Sequence, residues 1–521
     1  MSTANKPDET AEATATGSPD AIKQLGMGAA IASLGYVFWI VGAMEMVERL
    51  AFYGIKASAS LYATNPVSSG ALGLTASQYG QITGVWAGVQ SFVPVFTGGL
   101  SDRYGYKETI ALSTFIKMGG YAIMAFFPSY WGFMGGAVVL ALGTAVFKPG
   151  IQGTLVNSTT PETSSMAWGI FYQTVNIGGW LGPLMAVYMR THYGWKEVFF
   201  CCIGIIACNL LLLLTYKEPH KAERLAKAKL VKEGKLKQDN LFLDSLKEVS
   251  KTHVWLYLLI FSGFWFMFNS LFDVLPMHIR DWVNTQTIIN DLFGEGGTRN
   301  GVYKFLLGLN EDGTKVEPEG MLNLNAALIM ITCFFFAWLS GKMRATTSMV
   351  VGTLLATVAM FMSGYSVLGW LSVGAILVFS VGEMLSSPKF SEFVGNFAPT
   401  GKKGMYLGFS QLALGIGWTL EGFFAPMIYD HYGSKDRFAR ELLAERWADY
   451  PYKDQALAAI KSGDAFEALV NATGQDPHVL TEQMHNSHNV GMVWTIMGGV
   501  GIFTAIAIYL YGQWFRTLKK L

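Results

Sequence analysis

Six residues with chemical potential lie within the first long apolar segment, which runs from about residue 34 to 61. They recur at helical spacing and therefore share one face of a helix: Glu45, Glu48, Arg49, Phe52, Tyr53 and Lys56. A charged side chain at the centre of a bilayer costs about 2.5–3.5 kcal/mol on insertion scales, so this face must meet protein or a water-filled cavity. Because Glu45 and Arg49 are four residues apart, we expect them to form an ion pair.

Two kinds of chemistry suit this face. Carboxylates beside a guanidinium can bind and release protons, since desolvation and neighbouring cations act on them in opposite directions. Cations and hydroxyls on a cavity wall can also bind a charged solute. The alternative is a purely structural ion-pair cluster between helices. Lys56 argues against it, because a structural ion pair does not need this additional cation.

The composition is that of a polytopic membrane protein. Of the 521 residues, 51% are hydrophobic and only 14% are charged, compared with about 25% charged in soluble domains. A formal net charge of +1 gives no reason to expect nucleic-acid binding. The four cysteines lie in apolar segments without metal-ligand spacing, so we expect no metal site and no disulfide framework. The chain has no phosphate-binding loop, nucleophile elbow or dinucleotide fingerprint, so an enzyme or an ATP-driven pump is not expected, and no cofactor is expected beyond protons as coupling ion.

About twelve apolar segments are long enough to cross a bilayer, and they fall into two sets of six. We therefore predict an all-α membrane protein with two six-helix bundles. The predicted divisions are a disordered cytoplasmic tail (1–30), the N-terminal bundle (31–216), a cytoplasmic basic linker (217–251), the C-terminal bundle (252–515) and a cytoplasmic tail (516–521). Lys and Arg concentrate on the side of the linker, so both termini are predicted to be cytoplasmic.

Two long segments, 284–321 and 430–488, are predicted on the outer side. The second has an amphipathic pattern that indicates short helices. For both segments a solvated loop or simple shield is favoured over a lid that handles the transported solute.

Charged residues deep in the two halves differ in sign. The N-terminal half has Arg49, Lys56, Lys117 and Lys148 against Glu45 and Glu48, a net of +2. The C-terminal half has Asp273, Glu383 and Glu421 and no deep Lys or Arg, a net of −3. A cavity between such halves is dipolar and would orient a zwitterion.

Several motifs resemble known transporters. The segment Gly98-Gly99-x-x-Asp102-Arg103-x-Gly105-x-Lys107 is similar to the loop between helices two and three of the major facilitator superfamily, which implies a gating role for Asp102 and Arg103. Glu45-x-x-Glu48-Arg49-x-x-Phe52-Tyr53-Gly54 closely resembles the Glu-x-x-Glu-Arg-Phe-x-Tyr-Tyr-Gly motif of proton-dependent oligopeptide transporters. Segments 143–149, 171–178 and 382–388 resemble that family's motifs on helices four, five and ten, in the same order.

This resemblance implies the major facilitator fold and proton-coupled import of di- and tripeptides by alternating access. It implies that Glu45, Glu48 and Arg49 couple protons. Asp273, an ionisable residue within a predicted span, is a candidate second protonation site or gate pair, with a cap-like bond inside the bundle as the alternative. It also implies contacts with a bound peptide. Glu383 would bind the amino terminus, and Lys148 and Lys56 would bind the carboxylate. Tyr53 and Asn176 would bond the peptide backbone, and Arg49 is also expected in the binding site.

The chain also departs from the family pattern. Lys56 replaces the usual arginine, Asn269 stands near the usual helix-seven aspartate, and Lys117 is an additional mid-span cation. Trp265 is a possible cavity-lining residue, and Glu421 is more readily interpreted as a structural partner than as a direct participant. Another small zwitterion or organic anion (an amino acid, modified peptide or carboxylate) is therefore an alternative cargo, and a non-transporting receptor is a further alternative. We expect a monomer in a cell membrane, most simply a bacterial inner membrane.

Overall fold

A computed structural model describes residues 27–97, 101, 104–160, 163–218, 221–223, 225–226, 246–365, 367–397 and 403–518. Within these ranges the chain is helical, with two isolated β-bridges. Twelve long helices, α1 to α12, follow the order of the predicted spans. Their bounds are Tyr36–Thr64, Ala76–Phe92, Tyr106–Phe126, Tyr130–Asn157, Ser164–His192, Trp195–Leu214, Thr252–Asp273, Pro318–Gly341, Ala345–Ser363, Gly369–Phe397, Lys403–Tyr432 and Met492–Leu518.

Nine helices in the described part of the chain are long and apolar enough to cross a membrane by length and composition. The other three are α1, α2 and α5. Helix α1 carries four charged residues between positions 45 and 56, and α2 ends at Phe92 before the chain continues as the short helix Pro94–Thr97. The predicted all-α membrane fold is confirmed, whereas most of the linker and the N-terminal tail lie outside the described residues.

Local sequence signals fix where several helices begin. Thr75 accepts a hydrogen bond from the backbone of Gln78, and the Gln78 side chain accepts one from Thr75, which is a complete capping box at the start of α2. Ser129 caps α4 in a similar way by accepting from Gly132. These caps place the polar faces of α2 and α4 at a defined height in the bundle.

The two bundles meet mainly at one end of the molecule. We name this the loop end, because it carries residues 283–317 and 433–491; the opposite terminal end carries the start of α1 and the end of α12. At the loop end α2 packs against α11, α5 against α8, and α1 against α7. Ser77 of α2 donates to Asp430 of α11 over 2.5 Å.

Residues 433–491 form a folded unit, which we name the cap. Its helices are Lys435–Arg446, Lys453–Ala459, Ala465–Thr473 and Pro477–Ser487. They enclose an apolar core in which Phe438, Leu443, Leu469 and Met484 pack with Trp282, at the end of a short helix that extends α7. The predicted short helices are therefore present. The segment is folded, because its apolar residues bury one another, and of the two favoured interpretations, a solvated loop or a simple shield, the folded cap matches the shield.

Candidate functional site

A buried cluster of four charged residues lies in the N-terminal half. Arg49 Nε is 3.1 Å from Glu45 Oε1, and Arg49 also pairs with Glu48. Lys117 Nζ donates to Glu48 Oε1 over 2.9 Å and lies 3.8 Å from the centre of the Phe147 ring. All four side chains are at most 6% exposed. The predicted Glu45–Arg49 pair is confirmed, and the cluster as a whole has no net charge.

Glycines allow the helices to bring this cluster together. A Cβ on Gly143 of α4 would lie 2.5 Å from Lys117 Cγ, and one on Gly178 of α5 would lie 2.8 Å from Arg49 Cβ. A larger residue at position 143 would push α4 away from α3, and one at position 178 would push α5 away from α1. The small residues therefore permit the close packing on which the ion pairs depend.

A second ion pair joins the two halves. Lys56 of α1 donates to both carboxylate oxygens of Asp273 of α7, at 2.6 Å each. Tyr79 of α2 donates to Asp273 Oδ1 over 2.5 Å, and Trp418 of α11 to Oδ2 over 3.3 Å. Lys56 Nζ also lies 4.4 Å from the centre of the Trp418 ring. In this conformation the ammonium of Lys56, which was predicted to bind a solute carboxylate, is paired with Asp273 across the two halves.

Glu421 of α11 lies beside this pair, in electrostatic contact with Asp273 and Lys56. Its side chain is fully buried, and its two oxygens have no hydrogen-bond donor among the described residues. The prediction that Glu421 is a structural partner rather than a direct participant therefore stays a prediction.

The partly exposed polar side chains lie between the halves. Lys148 of α4 is in electrostatic range of Glu45, Glu48 and Arg49, and has no ion-pair partner in the part of the chain that is described. Across the gap, Glu383 of α10 accepts a hydrogen bond from Asn325 over 3.0 Å.

Two tyrosines lie near charges of both halves. Tyr53 is in electrostatic range of both Arg49 and Glu383, and Tyr172 of α5 is in range of Glu383 and Tyr53. Tyr172 is 53% exposed. Asn176, on the same helix, donates its side-chain amide to the Tyr172 carbonyl over 3.0 Å.

The remaining predicted residues have local roles or lie outside the structure described. Asn269 donates to the Trp265 carbonyl over 2.7 Å, which satisfies it within its own helix. Trp265 packs against aromatic rings of α7 and α10, while its indole nitrogen has no partner among the described residues. Asp102 and Arg103 lie outside the described residues. No group of three or more His, Cys, Asp or Glu side chains in the described ranges could hold a metal.

One inter-half contact was missed by sequence reasoning. Arg190, at the end of α5, binds Glu319 through two bonds of 3.1 and 3.0 Å and Glu317 through one of 2.9 Å. Burial would raise the pKa of Glu317, but the Arg190 guanidinium outweighs it and holds that pKa below its ordinary value. Charged residues at helix ends are ordinary interfacial features of membrane proteins, so no signal distinguished these three.

Comparisons with known proteins agree with this architecture. The sequence profile of the Major Facilitator Superfamily matches residues 46–420. The chain is 22% identical over 353 residues to the multidrug resistance protein MdtH of Edwardsiella ictaluri (strain 93-146), covering 67% of this chain and 77% of that protein. It is 30% identical over 177 residues to the peptide transporter YePEPT of Yersinia enterocolitica subsp. palearctica serotype O:3 (strain YE-P4), covering 33% of this chain and 34% of that one. A crystal structure of a POT family transporter in complex with 5-aminolevulinic acid superposes with a TM-score of 0.62 at 14% identity, covering 86% of this chain and 99% of that chain.

The chain belongs to the Major Facilitator Superfamily. It is a multi-pass membrane transporter with the fold of the POT family structures, and it is not an enzyme.

Proposed function

We propose that the protein is a proton-coupled importer of di- and tripeptides that works by alternating access. The observation that supports this most directly is the set of charges left after internal pairing. Glu45, Glu48, Arg49 and Lys117 compensate one another, and Lys56 and Asp273 compensate each other across the halves. Three groups remain: Lys148 in the N-terminal half, and Glu383 and Glu421 in the C-terminal half. Of these, Lys148 and Glu383 are partly exposed and have opposite signs on opposite halves, whereas Glu421 is fully buried.

A peptide with free termini matches that arrangement. Its carboxylate would pair with Lys148 and its ammonium with Glu383, which Asn325 orients through a hydrogen bond. The hydroxyls of Tyr53 and Tyr172 can bond the peptide backbone without adding charge, and so can the side-chain oxygen of Asn176, whose amide nitrogen already donates to the Tyr172 carbonyl. Each polar group of the cargo would thus have a partner of matching type.

The conformation described is closed at the loop end. The excess of Lys and Arg at the terminal end supports a cytoplasmic location for it, so this would be the inward-facing state. In the opposite state Lys56 would leave Asp273, and Arg190 would leave Glu317 and Glu319. A bacterial inner membrane is the location we propose.

Proton coupling is proposed at the Glu45–Arg49 pair. Glu48 has two cationic partners, whereas Glu45 has only Arg49, and its Oε2 has no hydrogen-bond partner among the described residues. A cargo carboxylate beside Lys148 would compete with Glu45 for Arg49. Glu45 would then be stable in the buried site only with a proton, so that cargo and proton bind together.

A carrier of another small zwitterion or of an organic anion is the alternative. Lys148 supports it, because a single unpaired cation can bind any carboxylate. An anion carrier would be inhibited by carboxylates that lack an amine, whereas a peptide carrier would be inhibited only by solutes with both termini free.

The test is uptake of labelled dialanine by purified protein in liposomes, with and without an inward proton gradient. We expect accumulation that collapses with a protonophore, and a Glu383→Gln variant that loses tenfold or more of its apparent affinity, since loss of a charge-assisted bond costs about 1.5–3 kcal/mol. Glu441→Gln, on the exposed face of the cap, is the matched control and should transport normally. Unchanged affinity in Glu383→Gln would rule out that contact, and absence of uptake by folded protein would favour the alternative cargo.

A further inference from the structure

Glu421 is a buried carboxyl group that the proposed transport mechanism does not use. It lies on α11, between α2 and α7, and its side chain has no exposed surface. Asp273 is the charged group in strongest electrostatic contact with it. The neighbouring Ser270 hydroxyl donates instead to the Phe266 carbonyl, over 3.0 Å.

Asp273 has every donor it needs as an anion. Lys56 bonds both of its oxygens, Tyr79 bonds Oδ1, and Trp418 bonds Oδ2. These four contacts give each oxygen of Asp273 two donors, one of them the charged ammonium of Lys56. Asp273 therefore has no oxygen left without a donor.

Glu421 has the opposite environment. As an anion it would be a second negative charge beside Asp273, with one ammonium between two carboxylates and no donor on either of its oxygens. An unpaired buried charge costs several kcal/mol. As a neutral acid it can donate to Asp273, and the three groups then carry no net charge.

Other charged groups do not change this balance. The groups that face Glu421 are Asp273 of α7, Lys56 of α1 and Tyr79 of α2. The charged residues of the other helices packed on α11 are engaged elsewhere: Glu383 with Asn325 and Lys389 with Glu392 on α10, and Arg516 with Thr346 on α12.

We propose that Glu421 is a proton-binding site of the gate, and that closure of the loop end takes up one proton there. Asp273, Glu421 and Trp418 belong to the C-terminal half, whereas Lys56 and Tyr79 belong to the N-terminal half. When the halves separate at this end, water reaches Glu421 and its carboxylate can form. On closure the carboxylate accepts a proton from that water, and on reopening it returns the proton to the same side.

The proposal requires that the halves separate at the loop end, but not that the cargo is a peptide. The two proposals can therefore fail independently. Absence of dialanine transport would not contradict a proton site at Glu421, and dialanine could be transported even if Glu421 binds no proton. Closed protein becomes less stable as pH rises, because one proton is bound in the closed state and absent in the open one. The ratio of closed to open protein should then fall by up to about tenfold per pH unit.

The test is a distance measurement in liposomes without cargo. Spin labels are placed on Ser69→Cys and Tyr365→Cys, exposed positions at the loop end of the two halves, in protein whose four native cysteines are replaced by serine. We expect the closed distance at acidic pH and a growing open population as pH rises. Glu421→Gln, which mimics the protonated acid, should stay closed over the same range, while Glu441→Gln should behave like the parent.

Two results would overturn the proposal. In the first, the closed population of the parent protein does not fall as pH rises. This measurement needs no Glu421 variant. The other is a folded Glu421→Gln protein with the same pH dependence as the parent. If Glu421→Gln does not fold, infrared spectroscopy of the closed parent and of Glu421→Asp is the second measurement. A protonated carboxyl band that shifts in Glu421→Asp supports the site. A parent protein without such a band refutes it.

Discussion

The contact of Lys117 with Glu48 supports the proposed role of Lys148 in solute binding. Glu48 is 1% exposed and already has Arg49 beside it, and Lys117 reaches it over 2.9 Å from α3. In this conformation the additional mid-span lysine therefore belongs to the buried charge cluster. Lys148, on the neighbouring helix, has no ion-pair partner within the described ranges.

A double-mutant cycle tests this assignment. Lys117→Met leaves Glu48 with one cation instead of two, and breaking a buried pair by removing one partner costs about 3–5 kcal/mol. We expect a clear loss of thermal stability in detergent, and partial recovery in the Lys117→Met, Glu48→Gln double variant, since the side chain at position 48 is then a neutral amide that needs no second cation. Equal melting temperatures for the parent and Lys117→Met would show that the pair contributes nothing.

At the residue scale, the sequence predicted local contacts better than distant ones. Helical spacing alone places Glu45, Glu48 and Arg49 on one face, and the Glu45–Arg49 pair is local. The Lys56–Asp273 contact spans 217 positions, and no periodicity relates residues so far apart. The Lys117–Glu48 pair was likewise left open, because helix packing decides which deep charges meet.

At the scale of elements, glycines set how closely the two halves meet. A Cβ on Gly422 of α11 would lie 2.6 Å from the backbone nitrogen of Gly84 and 2.7 Å from its Cα. Both neighbours are backbone atoms, so they cannot move aside as a side chain would. The loop end can close to this extent only while α2 and α11 have small residues at their crossing.

Substitution at that crossing should bias the conformation. Gly422→Ala forces α2 and α11 apart, so we expect a smaller closed population in the spin-label measurement and slower transport. Gly408→Ala is the control on the same helix, because a Cβ there meets nothing within 4 Å. Identical distance distributions for the two variants would contradict this account of the crossing.

The number and order of helices were predictable because apolar length is a property of a single segment. The cap was not predictable to the same degree. Its core includes Trp282 from the end of the α7 extension, far from the cap in sequence, so the pattern within residues 430–488 indicated helices without showing what they bury.

At the scale of the whole molecule, the cap connects both halves. Trp282 donates to the Gly433 carbonyl over 2.8 Å, and this bond attaches the cap to the C-terminal half. Trp282 also lines a cavity of about 360 Å³. Asp464 accepts a hydrogen bond from Ser68, in the N-terminal half, over 3.1 Å. Gly463, at φ +89°, lies so close to Pro66 that a Cβ would be 2.9 Å from its Cα, so this junction needs a glycine both for its conformation and for its packing.

This contact can persist only while the loop end is closed, since opening would carry Ser68 away from a cap fixed to the other half. A short reversible thiol cross-linker between Ser68→Cys and Asp464→Cys, in protein lacking native cysteines, should therefore abolish transport, and a reductant should restore it. The control is a cross-link within the cap between Lys435→Cys and Thr481→Cys, whose parent side chains are 2.7 Å apart; it joins parts of one half and should leave transport intact. Full transport with the Ser68–Asp464 link in place would mean that the cap moves with the N-terminal half, and that the halves separate along a different surface.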